Sequence, residues 1–319
     1  MKRQASWSRL FARNAATFAR AMAPLREQRK PPRGSGKGEG DWIAGMVMSP
    51  GGPRRYWLFR PAGVKFGERL ALMVMLHGCH QDAKSFAEST RMNTLAARER
   101  FLVLYPEQSR LSNGQGCWNW IDTKSGRAQA EAAWIMQAVD RTCLFYAADR
   151  QRVAVAGLSA GASMAALLAT RYPDRFQAVV MHSGIPPGAA NSMLSAVEAM
   201  KGRATATAVH AHADWPPLMI IHGDEDGVVS AENASAAAQL WSDAAGARAS
   251  NPRELQRGKR YPMQVTDFKR GAQLIATRVS VAQLGHAWSG GAAGRRFSDA
   301  KGPDSSRMAW TFAAKQFAA

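Results

Sequence analysis

Short apolar runs alternate with longer helical segments from about residue 70 onward, and this alternation constrains the fold more than any other sequence feature. The runs have the length and continuity of strands that are buried on both faces of a sheet. They occupy residues 70–76, 101–105, 152–156, 178–181, 218–221 and 276–281. Helices are predicted over residues 83–100, 127–147, 160–172, 191–200, 231–245 and 305–317. The pattern predicts an α/β fold with a mostly parallel central sheet and helices on both faces.

Two further segments precede this region. Residues 42–48 and 55–59 flank a Pro-Gly-Gly-Pro turn and predict an N-terminal antiparallel hairpin. Before the hairpin, apolar residues recur at helical spacing from Trp7 to Met22, with arginines on the opposite side. A stretch rich in Pro and Gly then forms a flexible linker. We therefore expect a basic amphipathic leader with its linker over residues 1–40, and one folded domain over 41–319.

Charge and cysteine content restrict the class of protein. The formal net charge is +18, and residues 1–40 hold ten Lys and Arg against two Glu. This leader is expected to associate with an anionic surface, such as acidic lipid or a polyanion-coated particle, whereas no recognition motif supports a nucleic-acid partner. No signal-peptide core is evident, which predicts a cytoplasmic location, with an extracellular one as the alternative. Three cysteines cannot form a complete disulfide framework, although one bridge is possible.

The segment Gly157-Leu158-Ser159-Ala160-Gly161 lies between a predicted strand and a predicted helix. This is the setting of a nucleophile elbow, in which small neighbours permit a sharp turn that exposes the serine. A Gly- and Ser-rich turn without chemistry is the alternative, but the flanking elements favour a nucleophile at Ser159. A serine hydroxyl then needs a histidine base and a carboxylate that fixes the histidine tautomer.

Candidates for both partners follow Ser159 in the expected chain order of Ser, then Asp, then His. Asp226 lies in an acidic loop after the strand 218–221 and best matches the H-G-x-x-D spacing, with Asp224 as the alternative. His286 lies in a glycine-rich loop after the last predicted strand. Residues 184–216 and 246–260 interrupt the strand and helix rhythm, and the first of these excursions is expected to overhang the site.

Donors for an oxyanion are predicted in two places. The run Leu76-His77-Gly78-Cys79 follows a predicted strand and resembles loops that supply one backbone N–H, here from Cys79, while Ala160 supplies the second. Cys79 is an alternative nucleophile, but Ser159 has the elbow and the partners. A His-x-His pair at 210 and 212 has no accompanying ligand set, so no metal is predicted.

Taken together, several motifs resemble the catalytic domain of the poly(3-hydroxybutyrate) depolymerase-type esterases, which have the α/β-hydrolase fold. The resemblance extends over residues 42–318. The motifs are His77-Gly78-Cys79, Tyr105-Pro106-Glu107-Gln108, Cys117-Trp118-Asn119-Trp120, the segment around Ser159, Ser183-Gly184, His222-Gly223 with Asp226, Gly285-His286-Ala287-Trp288-Ser289-Gly290-Gly291 and Gly302-Pro303-Asp304.

The resemblance implies a cofactor-free serine esterase that hydrolyses short-chain 3-hydroxyalkanoate esters, as polymer or oligomers, through an acyl-enzyme. It implies a Ser159, Asp226 and His286 triad and the oxyanion donors named above. It also implies that Cys79 and Cys117 lie close enough to form a bridge. A hydrophobic substrate cleft would be lined by Trp118, Trp120 and Trp288. Alternatives are a feruloyl or acetyl esterase acting on plant polysaccharides and a non-catalytic granule-surface binding protein.

Overall fold

The computed structural model describes residues 40–203 and 214–318, and one large sheet forms the centre of this part of the chain. Eleven strands belong to the sheet. They are β1 (Gly40–Ser49), β2 (Gly52–Pro61), β3 (Leu70–Leu76), β4 (Leu102–Pro106), β5 (Ala148–Leu158), β6 (Ala178–His182), β7 (Leu218–Gly223), β8 (Arg248–Ala249), β9 (Arg253–Leu255), β10 (Met263–Arg270) and β11 (Gln273–Val281). Two short strands, β12 (Trp288–Ser289) and β13 (Ser298–Asp299), pair separately.

The strand order is β1-β2-β4-β3-β5-β6-β7-β11-β10-β8, with β9 also paired to β10. In this spatial order, every strand from β4 through β3, β5, β6 and β7 to β11 is parallel to its neighbour, whereas β1 and β2 form the predicted antiparallel hairpin. The central strands β3, β6 and β7 are buried along their whole length because layers of helices cover both faces. The predicted fold class, an α/β fold with a mostly parallel sheet and an N-terminal hairpin, is confirmed.

Seven α-helices lie in the described residues. Six of them divide between two large hydrophobic cores, and the fifth in chain order packs in a third, smaller cluster. The seven are α1 (Ala83–Thr90), α2 (Met92–Glu99), α3 (Arg127–Phe145), α4 (Ala160–Arg171), α5 (Met193–Met200), α6 (Glu232–Ala245) and α7 (Ser305–Gln316). Helices α3, α4 and α6 pack on one face against side chains such as Leu72 and Val74 of β3. Helices α1, α2 and α7 pack on the other face against Met73 and Met75. The alternation of side chains along β3 thus supplies both cores.

One predicted element differs in the structure, and one long strand was not predicted. The single helix expected over 83–100 is two helices, because Arg91 has a left-handed conformation with φ 56° and ends α1. Strand β10 was missed. Its apolar residues alternate with polar ones beside the Gly271 turn, a pattern typical of an antiparallel strand near a sheet edge rather than of a buried parallel run.

The predicted leader and linker lie outside the described residues, apart from Gly40 at the start of β1. The same is true of His210 and His212 in the first excursion. No helix in the described part of the chain combines the length and apolar character needed to cross a membrane.

Candidate active site

Ser159 lies in a sharp turn between β5 and α4. Its backbone has φ 56° and ψ −123°, a conformation that is strained for a residue with a side chain. The turn requires glycine on both sides. A Cβ on Gly157 would overlap the backbone of Gly161, and a Cβ on Gly161 would overlap the carbonyl oxygen of Leu76. The geometry is that of a nucleophile elbow, with the Ser159 side chain part-exposed at the start of the helix.

Asp226 and His286 are in direct contact. Nδ1 of His286 lies 2.8 Å and 3.1 Å from the two carboxylate oxygens of Asp226. Oδ1 of Asp226 also accepts hydrogen bonds from the backbone N–H groups of Val228 (3.0 Å) and Val229 (2.9 Å). Since a carboxylate can only accept, the Nδ1 atom of His286 donates to Asp226, which leaves Nε2 as the ring atom that can take a proton from a nucleophile.

The pKa of Asp226 lies well below its ordinary value. Burial alone would raise this pKa, but hydrogen bonds from His222 and His286 outweigh burial and keep the carboxylate ionised. Nε2 of His222 lies 3.4 Å from Oδ2 of Asp226 and 2.8 Å from the carbonyl oxygen of Val229. Asp226 therefore has a histidine on two sides. Asp224, the alternative acid, instead accepts a hydrogen bond from the N–H of Gln283.

The three predicted catalytic residues lie at one edge of the sheet because they follow parallel strands that are close together in the sheet order. Ser159 follows β5, Asp226 follows β7 and His286 follows β11, and only β6 separates β5 from β7. The carboxyl ends of parallel strands meet at one edge of a sheet. Ser159 and His286 share this edge, although no hydrogen bond joins their side chains among the described residues.

His182 at the end of β6 joins the elbow to the loop that carries His286. Its carbonyl oxygen accepts the N–H of Ser159 at 2.9 Å, and its Nε2 accepts the N–H of Ser289 at 3.1 Å. The ring is fully buried and stacks on Trp288 with centroids 5.1 Å apart. Burial lowers the pKa of His182 to about 3, so the ring is neutral and accepts this hydrogen bond.

The two predicted oxyanion donors also lie at this edge. A Cβ built on Gly78 would lie 3.6 Å from Cβ of Ser159, which puts the Gly78-Cys79 loop beside the nucleophile. The backbone N–H of Cys79 has no acceptor within the described part of the protein. Ala160 is the first residue of α4, where a backbone N–H has no acceptor inside the helix. Both amides are thus available to an oxygen anion.

A disulfide links Cys79 of the Gly78-Cys79 loop to Cys117, and the two Cα atoms are 4.3 Å apart. The bridge implied by the family resemblance is therefore present in the structure. Cys143 is a buried free cysteine in α3, and burial raises its thiol pKa. Among the described residues, no group of three or more His, Cys, Asp or Glu side chains could hold a metal ion.

Comparisons with known proteins agree with this geometry. The model of the family described as "Esterase PHB depolymerase" matches residues 54–255. The chain belongs to this family. It is therefore a member of an esterase family, as the sequence predicted.

Among the relatives of this family member is poly(3-hydroxyalkanoate) depolymerase C of Paucimonas lemoignei, 30% identical over 67% of this chain and 54% of its own length. Feruloyl esterase B of Neurospora crassa is 29% identical over 57% of this chain and 68% of its own length. The chain thus spans about half to two thirds of these curated relatives. A solved acetyl xylan esterase from Aspergillus awamori has a TM-score of 0.64 at 20% identity, covering 76% of this chain and 94% of that one. This structural likeness shows the fold.

The three tryptophans expected to line a substrate cleft have different environments. Trp118 is buried, packs against Trp134 and donates from Nε1 to the carbonyl oxygen of His77 at 3.0 Å. Trp288 is fully buried and donates to Ser306 at 3.0 Å. The expectation that these two line an open cleft is wrong, because the core encloses both rings. Trp120 is half-buried and does line a cavity.

Sequence reasoning also missed a buried acid behind the oxyanion loop. Oε1 of Glu131 accepts hydrogen bonds from Gln108 (2.6 Å) and from the side chain of Asn119 (2.5 Å), and Oε2 accepts the N–H of Asn119 at 2.8 Å. The N–H of Gln108 in turn donates to Nε2 of His77 at 3.1 Å. Burial raises the pKa of Glu131 even though these donors oppose the shift. The sequence gave no indication of this role, because an acidic residue within a helix is usually interpreted as part of the solvent-exposed face.

Proposed function

We propose that the protein is a serine esterase in which Ser159 is the nucleophile, His286 the general base and Asp226 the residue that orients the base. The observation that carries the proposal is the hydrogen-bonded pair of His286 and Asp226 at the sheet edge where the strained Ser159 turn ends. A residue in that conformation persists only where the surrounding structure holds it, and such strain concentrates at functional sites. The family to which the chain belongs supports the same chemistry.

In the first half of the reaction, Oγ of Ser159 attacks the ester carbonyl carbon while Nε2 of His286 takes the hydroxyl proton. The carbonyl oxygen becomes an anion, which the N–H groups of Cys79 and Ala160 stabilise. The intermediate then collapses, the bond to the alcohol oxygen breaks, and His286 returns its proton to that oxygen. Asp226 holds the ring in the required tautomer through Nδ1.

The second half repeats these steps with water as the nucleophile. Water attacks the acyl-enzyme carbonyl and gives one proton to Nε2 of His286. The acid leaves as the bond to Oγ of Ser159 breaks, and the proton returns to Oγ. No cofactor takes part in this sequence, because each proton is held by His286 and the negative charge by backbone amides.

For the substrate we propose short-chain 3-hydroxyalkanoate esters, either poly(3-hydroxybutyrate) or its oligomers. The family and the depolymerase of Paucimonas lemoignei support this class. A feruloyl or acetyl esterase that acts on plant polysaccharides is the second candidate, favoured by the similarity to feruloyl esterase B. Parallel assays on 3-hydroxybutyrate trimer, amorphous polyester granules and methyl ferulate discriminate between them. Faster turnover of methyl ferulate than of both polyesters would reject the first candidate.

The experiment that tests the chemistry is hydrolysis of p-nitrophenyl butyrate by the wild type and by Ser159→Ala. We expect the wild type to release product with a burst of acylation, and the variant to lose at least about 1,000-fold in kcat with its fold intact. Circular dichroism checks the fold. A near-normal rate in a purified, folded variant would remove Ser159 from the mechanism, and an inactive wild type would favour the granule-surface binding protein.

We further propose that the basic leader directs the esterase to storage granules or another anionic surface. Its charge of ten Lys and Arg against two Glu supports this proposal. Deletion of residues 1–38 should preserve turnover of soluble esters but weaken sedimentation with polyester granules and with anionic lipid vesicles. Unchanged sedimentation of the truncated protein would contradict the proposal.

A further inference from the structure

A cavity of about 140 Å³ lies beside α4, outside the catalytic residues. Ser163 and Leu167 of α4 form one wall, and Trp120 and Lys124 belong to the opposite segment. None of its lining residues has a role in the proposed bond-breaking steps.

The cavity begins one helical turn from the nucleophile. Ser163 follows Ser159 by four residues, so its backbone lies one helical turn, about 6 Å along the axis of α4, from that of Ser159. The N–H of Ser163 donates to the carbonyl oxygen of Ser159 at 3.1 Å. Its hydroxyl accepts the N–H of Ile185 at 2.9 Å and so holds the start of the neighbouring loop. A substrate group attached next to the scissile ester therefore has the cavity within reach.

The lining combines an apolar surface with hydrogen-bond donors, one of which is positively charged. Trp120, Leu167, Pro187 and Ala190 supply the apolar surface. Three side chains add donors at the rim, namely Thr123, Lys124 and Asn191. Lys124 is the only ionisable residue in the lining, which contains no acid.

The nearest acid in sequence does not neutralise this charge. Asp122 pairs with Arg127 at 3.4 Å, whereas Lys124 forms no ion pair within the described part of the chain. An exposed ammonium beside an apolar cavity is complementary to an aliphatic chain that ends in a carboxylate.

We propose that this cavity binds the free-carboxylate end of a short hydroxyalkanoate oligomer, with its aliphatic part against Trp120 and Leu167 and its carboxylate at Lys124. The inference rests on the proposed function and names the form of substrate. In such an oligomer the alcohol that leaves Ser159 is itself a hydroxy acid. The cavity is thus a leaving-group subsite, and it favours soluble oligomers with a free acid end over internal ester bonds of a polymer.

The test compares two substrates with the same internal ester bonds, 3-hydroxybutyrate trimer and its terminal primary amide. Internal cleavage is followed by chromatography of the products. We expect Lys124→Gln to lower kcat/KM for the acid trimer by roughly fivefold, the upper range for a solvent-exposed charge pair, with little change for the amide. Lys124→Glu should lower it further. Lys315→Gln, a matched charge removal on exposed α7, should change neither substrate.

A second variant tests the apolar wall. Leu167→Trp places a larger ring in the cavity, and we expect a higher KM for both trimers because less room is left for the leaving group. The proposal is overturned if the acid-to-amide ratio is the same in Lys124→Gln and the wild type, or if Leu167→Trp leaves both KM values unchanged. Loss of p-nitrophenyl acetate turnover in the wild type would instead reject the proposed esterase chemistry.

Discussion

Glu131 touches none of the proposed catalytic atoms, yet it joins the segments behind the oxyanion loop. It accepts three hydrogen bonds from Gln108 and Asn119, and Gln108 holds the ring of His77 next to Gly78 and Cys79. Trp118 supports the same loop from its other side. The position of the Cys79 amide is therefore set by residues that are distant in sequence.

Replacing Glu131 by Gln should disturb this amide. A glutamine can point only one oxygen at the three donors, so at least one buried donor loses its acceptor, which costs about 1–3 kcal/mol of stability. We expect kcat for p-nitrophenyl butyrate to fall by roughly tenfold, less than the loss of a whole oxyanion donor, while KM changes little. Binding of a boronic acid that forms a tetrahedral adduct on Ser159 should weaken in parallel.

Glu198→Gln is the matched control, because Glu198 is an exposed acid on α5 that pairs with Lys201. This variant should keep both kcat and boronate affinity. A folded Glu131→Gln variant with normal kcat and normal boronate affinity would show that the buried acid is structural only.

The sequence predicted the role of an individual residue where that residue lies in a recognisable local motif. Ser159, Asp226 and His286 could be predicted because each lies in a short recognisable loop after a strand. Glu131 and His182 could not, because their roles come from contacts with segments that only folding brings near. The interpretation of Trp118 and Trp288 failed for the same reason, since a tryptophan in a motif can face the core or the solvent.

Helix α4 begins in close contact with the end of β3, and this packing fixes the direction of the nucleophile. Gly161 has no room for a side chain, because a Cβ would overlap the carbonyl oxygen of Leu76 and come within 2.5 Å of that of His77. The helix can approach this closely only because Gly161 lacks a Cβ. The start of α4 and the oxyanion loop are therefore both positioned by the end of β3.

Gly161→Ala should push the two elements apart. We expect a loss of about 1–3 kcal/mol in the free energy of unfolding, typical of overpacking, together with a lower kcat. Urea titration and ester hydrolysis measure the two effects. Gly114→Ala is the control, since its Cβ would meet no atom within 4 Å. Equal stability of the two variants would contradict the close packing of α4.

Periodicity predicted the elements well in the sheet centre and less well elsewhere. Strands β3, β4, β6 and β7 are largely apolar runs, so their positions followed directly from the sequence, whereas β5 starts four residues before the predicted run with the polar residues 149–151. Strand β10 alternates, and the break at Arg91 depends on one left-handed residue without a glycine. Such a break carries no compositional signal.

For the whole molecule, two buried neutral histidines should make stability depend on pH. Burial lowers the pKa of His77 to about 4 and that of His182 to about 3, against an ordinary value near 6.5. As pH falls below 6.5, the unfolded chain takes up protons that the native protein does not. Stability should therefore be complete above pH 6.5 and decline towards pH 4, by up to about 1.4 kcal/mol per pH unit for each histidine.

Thermal unfolding between pH 8 and pH 4.5 measures this decline. His182→Gln keeps an acceptor for the N–H of Ser289 but does not titrate, so its slope should be shallower than that of the wild type. Asp226 has the same sign of pH dependence at lower pH, because its lowered pKa adds stability that is lost as pH falls below its ordinary titration range. If stability falls with pH equally steeply in the variant and the wild type, His182 does not contribute to the pH dependence of stability.

The disulfide links the oxyanion loop to the segment that carries Trp118 and Asn119. Reduction should lower the free energy of unfolding by about 2–4 kcal/mol and reduce kcat, since Cys79 supplies a proposed oxyanion donor. Melting curves and rates with and without a phosphine reductant measure this effect. Cys143→Ala should respond like the wild type and Cys117→Ala should not respond. A wild type that ignores the reductant would contradict the prediction.

Such a bridge persists in oxidising compartments, so it favours the extracellular alternative over the predicted cytoplasmic location. We propose the extracellular location, in which case the leader binds an anionic surface other than storage granules, and trapping of free thiols in intact cells tests the location. Free thiols at Cys79 and Cys117 in the trapped protein would support the cytoplasmic location instead.

The walls of the cavity beside α4 and the reactive groups come from different parts of the architecture. Ser159, Asp226 and His286 follow strands of the rigid sheet, whereas Trp120, Lys124 and Asn191 lie on connecting segments at its periphery. Natural variation can therefore redirect this enzyme to another ester by altering a few peripheral positions while the bond-breaking machinery is inherited unchanged. Laboratory evolution of new selectivity should therefore begin at residues 120–124 and 187–191.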